Sequence, residues 1–178
     1  MTRITHSIAG LTIATAYIGL SKDFFVFNVV PVLIAGLIGG TFPDVDYFMG
    51  DARKKTIWKH RGITHSFLFL VICIAGMVLF EKYAKYNISG EIIVFALAFL
   101  SHLLLDSFNF IGLPLFIPLS FKQAYSLKLF KSGSSSEYLW ATLPLLVILI
   151  FTSKSVFSTY QIDQIFSHGR YFLKRIIY

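Results

Sequence analysis

Long apolar runs constrain this chain more than any other feature. Five stand out, at residues 8–20, 24–42, 66–80, 92–105 and 138–151. A helix needs about 20 apolar residues to cross a bilayer, with a range of about 17–25. The second run meets that length, and the fifth does when extended through Ser155. The third reaches it if Glu81 and Lys82 extend their charged ends to the interface. The first is short and carries Gly10, Thr12, Thr15 and Gly19, so it reads as a small-residue packing helix, crossing or partly embedded. The fourth contains Ser101, His102 and Asp106, groups that a lipid-facing helix does not carry cheaply.

Composition agrees with a membrane class. Charged residues are 14% of the chain, against about 25% in soluble domains, too few to cover a water-soluble globule. The expected fold is all-α, a polytopic bundle of about four or five membrane-embedded helices. Residues 1–155 form that embedded domain. Residues 156–178 mix Arg170, Lys174 and Arg175 with Phe, Ile and Tyr, the pattern of an amphipathic interfacial C-terminal helix. No cleavable signal peptide is expected, because the first run lacks a basic leader and a small-residue cleavage site.

The formal charge is +7. In a membrane chain a Lys/Arg excess sets topology and contacts anionic lipid, so it does not point to nucleic acid. If all five runs cross, one side holds the N-terminus and residues 43–65 and 107–137. That side carries nine basic residues, among them Arg53, Lys54, Lys55, Lys59 and Arg61, and is expected to be cytoplasmic. The one cysteine, Cys73, excludes an internal disulfide and a Cys-rich zinc motif, and reads as a buried inert thiol.

Most candidate ligands fall at that same end of the bundle. His6 precedes the first run, and Pro43-Asp44-Val45-Asp46 follows the second. His60-Arg61-Gly62-Ile63-Thr64-His65-Ser66 leads into the third, and His102 and Asp106 close the fourth. Residues at i and i+4 share a helix face, so His102 and Asp106 can grip one ion. The bland alternative is a structural His–Asp hydrogen bond, but ionisable groups inside a membrane are functional by default. Two carboxylates two residues apart suit oxygen-rich or mixed His/Asp coordination of Zn, Mn or Mg. Arg61 reads either as a topology-setting charge or as an anion holder for phosphate. Asp44, Asp46 and Arg61 are the catalytic candidates. His6, Asp44, Asp46, His60, His65, His102 and Asp106 are the metal candidates.

The ordered set of His6, P-D-V-D (43–46), H-R-G-I-T-H-S (60–66) and S-H-L-L-L-D (101–106) resembles the YdjM-like family of inner-membrane proteins. The resemblance covers roughly the first 110 residues. It implies a membrane-bound metal-dependent hydrolase of the bacterial or archaeal cytoplasmic membrane. That family is in turn similar at a distance to zinc-dependent phospholipase C and single-strand nucleases. The resemblance implies one zinc shared by Asp44 or Asp46, His60 or His65, and His102 with Asp106. The chain departs from that pattern in lacking a later His/Glu helix, since Glu137 is the only acidic residue between Asp106 and Asp163. One or two divalent ions are therefore expected, Zn first, with Mn or Mg as alternatives.

The function expected is hydrolysis of a phosphoester, lipid-like in view of the membrane location. The competing class is a non-enzymatic scaffold or adaptor in which the same residues form a structural metal site or polar knot. A transporter relay would show broken helices near the midplane and an internal repeat, and the sequence has no repeat.

Overall fold

The computed structural model describes residues 1–21, 29–49, 61–117, 119 and 125–156. Among these residues seven α-helical segments follow one another: α1 (Arg3–Leu20), α2 (Val29–Thr41), α3 (Asp46–Met49), α4 (Phe67–Ala84), α5 (Ser89–Ser107), α6 (Ser135–Glu137) and α7 (Leu143–Val156). Short 3-10 turns at Phe42–Val45 and Ile63–His65 lead into α3 and α4, and a π-helical turn, Tyr138–Thr142, joins α6 to α7. No β-strand occurs among the described residues, only two isolated bridges. The all-α bundle expected from the apolar runs is what forms.

Among the described residues, three stretches are long and apolar enough to cross a membrane: Phe67–Ala84, Ser89–Ser107 and Ser135–Lys154. The described part of the second run is a shorter apolar helix. The first run has a different role. It buries Thr5, His6, Thr12 and Thr15 as well as Ala9, Ala14 and Ile18, so α1 faces protein on much of its circumference and packs against α2, α5 and α7. The tail expected at 156–178 lies outside the described residues apart from Val156.

Small residues set how closely α1, α2 and α5 approach. A Cβ on Gly10 would sit 2.1 Å from the Gly36 carbonyl oxygen, and one on Gly40 would sit 2.5 Å from that of His6. A Cβ on Gly39 would likewise meet the Phe95 carbonyl at 2.5 Å. Such contact between backbones is how helices gain packing energy where lipid removes the hydrophobic drive to associate. Ala14, Ile18, Val32, Val94 and Phe99 complete this core. Hydroxyls stitch α1 to α7: Thr15 Oγ1 lies 2.6 Å from Thr152 Oγ1.

Helix α4 is built differently. Leu70 is its only buried residue; Phe69, Cys73, Ile74 and Met77 lean on the core, while Val71, Ile72, Val78, Leu79 and Phe80 are exposed, as on a helix with one side open to lipid. Ser66 caps it by accepting from Phe69 N at 3.3 Å, and Glu81 ties its far end to α5 by accepting from Ser89 Oγ at 2.9 Å. The start of α1, the end of α2, the start of α4 and the end of α5 meet at one end of the bundle.

Candidate metal centre

Local sequence explains how each polar group reaches that end. Thr2 caps α1, which puts His6 on its first turns. Pro43 cannot donate a backbone hydrogen bond, so α2 gives way to the 3-10 turn that carries Asp44, and Asp46 opens α3. Arg61 has φ 63°, in the left-handed region, a conformation that costs a non-glycine residue about 1–3 kcal/mol and gathers at functional sites. Two bonds hold it there. Its backbone N–H donates to Asp46 Oδ2 at 3.0 Å, and its Nη1 donates to the Ile111 carbonyl at 2.6 Å.

His6, Asp44, Asp46, Arg61, His65, His102 and Asp106 converge, and all are buried. Among the described residues, two groups have donor atoms close enough together for one ion: Asp44 with His65 and His102, and His6 with His102 and Asp106. In the first, His65 Nε2 lies 3.3 Å from His102 Nε2 and 3.6 Å from Asp44 Oδ1. His102 Nε2 lies 3.8 Å from Asp44 Oδ1. Asp106 Oδ2 stands 3.8 Å from His65 Nε2 and 4.0 Å from His102 Nε2. Tetrahedral zinc with ligands at 2.0–2.1 Å separates neighbouring donor atoms by about 3.3–3.4 Å. The first group fits that spacing after shifts of a few tenths of an ångström, and Asp106 Oδ2 is further out.

The outer contacts decide which ring nitrogen is offered. His102 Nδ1 is 2.8 Å from the Gly40 carbonyl oxygen. A carbonyl only accepts, so Nδ1 carries the proton and Nε2 presents its lone pair. Asp46 Oδ2 is 3.3 Å from His65 Nδ1, and the same oxygen accepts from Thr64 Oγ1 at 2.6 Å. His65 Nε2 is thereby turned toward Asp44. Burial works against charge on His65, but hydrogen bonds to Asp44 and Asp46 outweigh it and hold the imidazole above its ordinary pKa.

Asp106 has two differently partnered oxygens. Oδ1 faces His6 Nε2 at 3.2 Å and the Met1 amino nitrogen. Oδ2 pairs with Arg61 Nη2 at 3.1 Å. His6 stacks on His102, with ring centroids 3.7 Å apart and planes inclined by 20°. His6 Nδ1 and Arg61 Nε are buried with no hydrogen-bond partner among the described residues.

Of the residues singled out by sequence, His60 lies outside the described residues. The others meet, but the two aspartates of the DxD part company. Asp44 offers an oxygen to the imidazole pair, whereas Asp46 sits behind His65. Gly40 and Thr64 were not singled out. Thr64 sits inside the H-R-G-I-T-H-S element, where a hydroxyl beside a histidine was its one signal, and the carbonyl of Gly40 had none.

The sequence model described as "YdjM inner membrane protein" matches residues 1–164, well beyond the motif-bearing first 110. A Bacillus subtilis (strain 168) protein, "Uncharacterized protein YvsG", is 27% identical over 183 residues, spanning 97% of this chain and 100% of that one. No solved structure matches.

Proposed function

We propose that this chain, which belongs to the YdjM inner membrane protein family, is a multi-pass metal-dependent hydrolase acting on a phosphoester at the cytoplasmic membrane face. The observation that carries this reading is the group of Asp44, His65 and His102. Three buried donors, two of them imidazole nitrogens oriented from behind, leave a fourth corner bordered by Asp106 and Arg61. Three protein ligands and one open position is the pattern of catalytic zinc, whereas structural sites are closed.

A divalent ion bound there, Zn before Mn or Mg, would supply Lewis acidity and an acidified water. Asp44 Oδ1, His65 Nε2 and His102 Nε2 would hold it. The two candidate groups share His102, and with Nδ1 committed to Gly40 only Nε2 can ligate, so one ion is the stoichiometry this arrangement favours. Asp106 Oδ2 borders the open corner and takes the proton from water. Arg61, 3.1 Å from that oxygen, donates to a phosphate oxygen as charge grows on it. Asp46 lies on the Nδ1 side of His65, away from the open corner, so its part in this scheme is to orient that ring. A site at the end of apolar helices supports the lipid-like character of the substrate, and the basic residues of 43–65 and 107–137 support the cytoplasmic orientation.

One observation favours a second reading. If Asp106 Oδ2 moves in by about half an ångström and leaves Arg61, the corner closes and the ion becomes structural, as in a membrane scaffold. The two readings part on Asp106→Asn, tested in purified protein with a panel of phosphodiester and lipid phosphoester substrates. The hydrolase reading expects this variant to keep its ion and to lose hydrolysis by about 100-fold or more. Loss of the ion in that variant, with no hydrolysis by the wild type, establishes the structural reading instead.

A further inference from the structure

Glu137 is fully buried and belongs to neither metal-binding group among the described residues. Its hydrogen bonds show where its charge is spent. Oε1 accepts from Thr2 N at 2.7 Å, Thr2 Oγ1 at 2.9 Å and Thr5 Oγ1 at 2.8 Å. Oε2 accepts from Gly133 N at 2.8 Å. Three of the four donors come from the cap and first turn of α1, and the carboxylate has little capacity left for an ion.

The backbone around Glu137 is arranged for this contact. It is followed at once by the π-helical turn Tyr138–Thr142, closed by Leu143 N–H donating to the Tyr138 carbonyl. In an α-helix, residues five apart point well away from each other, since a turn takes 3.6 residues. The wider π turn, with its i→i+5 bonds, brings such residues closer to one face. Glu137 and Thr142 are five apart, and both reach the same hydroxyl: Thr5 Oγ1 is 2.8 Å from Glu137 Oε1 and 2.9 Å from Thr142 Oγ1. Single π turns inside α-helices occur frequently at functional sites.

Thr5 immediately precedes His6. The His6 ring reaches Asp106 Oδ1 at 3.2 Å and stacks on His102. A continuous chain of contacts thus runs from Glu137 through Thr2 and Thr5 to His6, and from His6 to the ligand His102.

We infer that Glu137 is a positioning residue: through Thr2 and Thr5 it fixes the first turn of α1 so that His6 stacks on His102 and meets Asp106. The inference rests on the metal-centre reading for its effect on ions, and on geometry alone for its effect on the His6 ring. It makes the C-terminal membrane stretch part of the site, although every motif of the sequence lies in the first 110 residues.

Two measurements on the full chain in detergent test it. The first is divalent-metal affinity by chelator competition in Glu137→Gln, His6→Ala and the double variant, with Thr5→Val and Thr5→Ser beside them. We expect Glu137→Gln to weaken binding by about tenfold, within the 10–100-fold range for orienting partners of metal ligands. The double variant should bind no more weakly than His6→Ala alone, because Glu137 acts through His6. Thr5→Val should reproduce the loss and Thr5→Ser should restore affinity. Multiplying losses in the double variant, or lowered thermal stability with unchanged affinity, overturns the inference. Loss of a whole ion in Glu137→Gln with Thr5→Val harmless overturns it too, and makes Glu137 a ligand.

The second measurement uses metal-free protein and does not depend on the metal reading. The imidazole NMR signals of His6 and His102 should move in Glu137→Gln and stay in place in an exposed control at the far end of α4, Tyr83→Phe. Unmoved His6 and His102 signals contradict the inference. A wild type that binds no metal, with those signals shifted by Glu137→Gln, sinks the metal reading and leaves the positioning role standing.

Discussion

Asp46 Oδ2 lies 3.3 Å from His65 Nδ1, on the opposite side of the imidazole from Asp44, whose Oδ1 lies 3.6 Å from Nε2. One ring thus separates two carboxylates that the sequence presents as an equivalent pair. The difference in their roles gives the first prediction. Asp44→Asn removes a ligand and should abolish metal binding at micromolar concentrations. Asp46→Asn keeps the shape but loses the charge that orients His65, and should weaken binding by about 10–100-fold without abolishing it. Chelator competition on both proteins reads the contrast; equal losses contradict it.

Arg61 spans two acids, with its backbone N–H on Asp46 and its Nη2 on Asp106. Arg61→Lys keeps a positive charge and the backbone contact, but loses the planar fork and its bond to Ile111. Metal content should be retained while phosphoester turnover falls by about tenfold or more, with the loss in kcat rather than KM. A variant that loses its ion shows that Arg61 builds the centre rather than serving its substrate.

Glycines separate the packed end of the bundle from its lipid-facing side. Gly10→Ala brings a Cβ to 2.1 Å from the Gly36 carbonyl oxygen, which is backbone and cannot swing aside. Overpacking of this kind costs about 1–3 kcal/mol and sometimes more, and here it also pushes α1, and with it His6, away from α2. Gly76 on α4 has nothing within 4 Å of its would-be Cβ, so Gly76→Ala should leave stability unchanged or raise it slightly. Thermal unfolding in detergent compares the two. Similar melting temperatures contradict the α1–α2 contact.

Much of this was legible in the sequence because burying charge in a membrane is costly. His102 and Asp106 interrupt an apolar run, and that cost alone marks them as partnered groups, as they are. The convergence of His6, Asp44, His65 and Asp106 followed from counting which ends of the runs share a side. The sequence did not distinguish Asp44 from Asp46, because both follow Pro43 in a turn whose direction depends on 3-10 geometry. Glu137 stands out as the sole acid between Asp106 and Asp163, but its reach to Thr2 and Thr5 depends on a π turn that residue periodicity does not reveal. The first run reads as a small-residue packing helix, and α1 packs on α2, α5 and α7 as that reading expects. Its threonines and glycines mark a helix that packs on protein, and only the positions of α2, α5 and α7 show on how many sides.

The most direct test of the metal centre is elemental analysis of protein purified without added chelator, wild type beside His102→Ala. His102 belongs to both candidate ion groups, so its removal leaves neither intact. The account predicts about one divalent ion per wild-type chain and almost none in the variant, with both proteins remaining folded. A wild type free of metal whose melting temperature is indifferent to chelation, or an ion retained in full by His102→Ala, contradicts it.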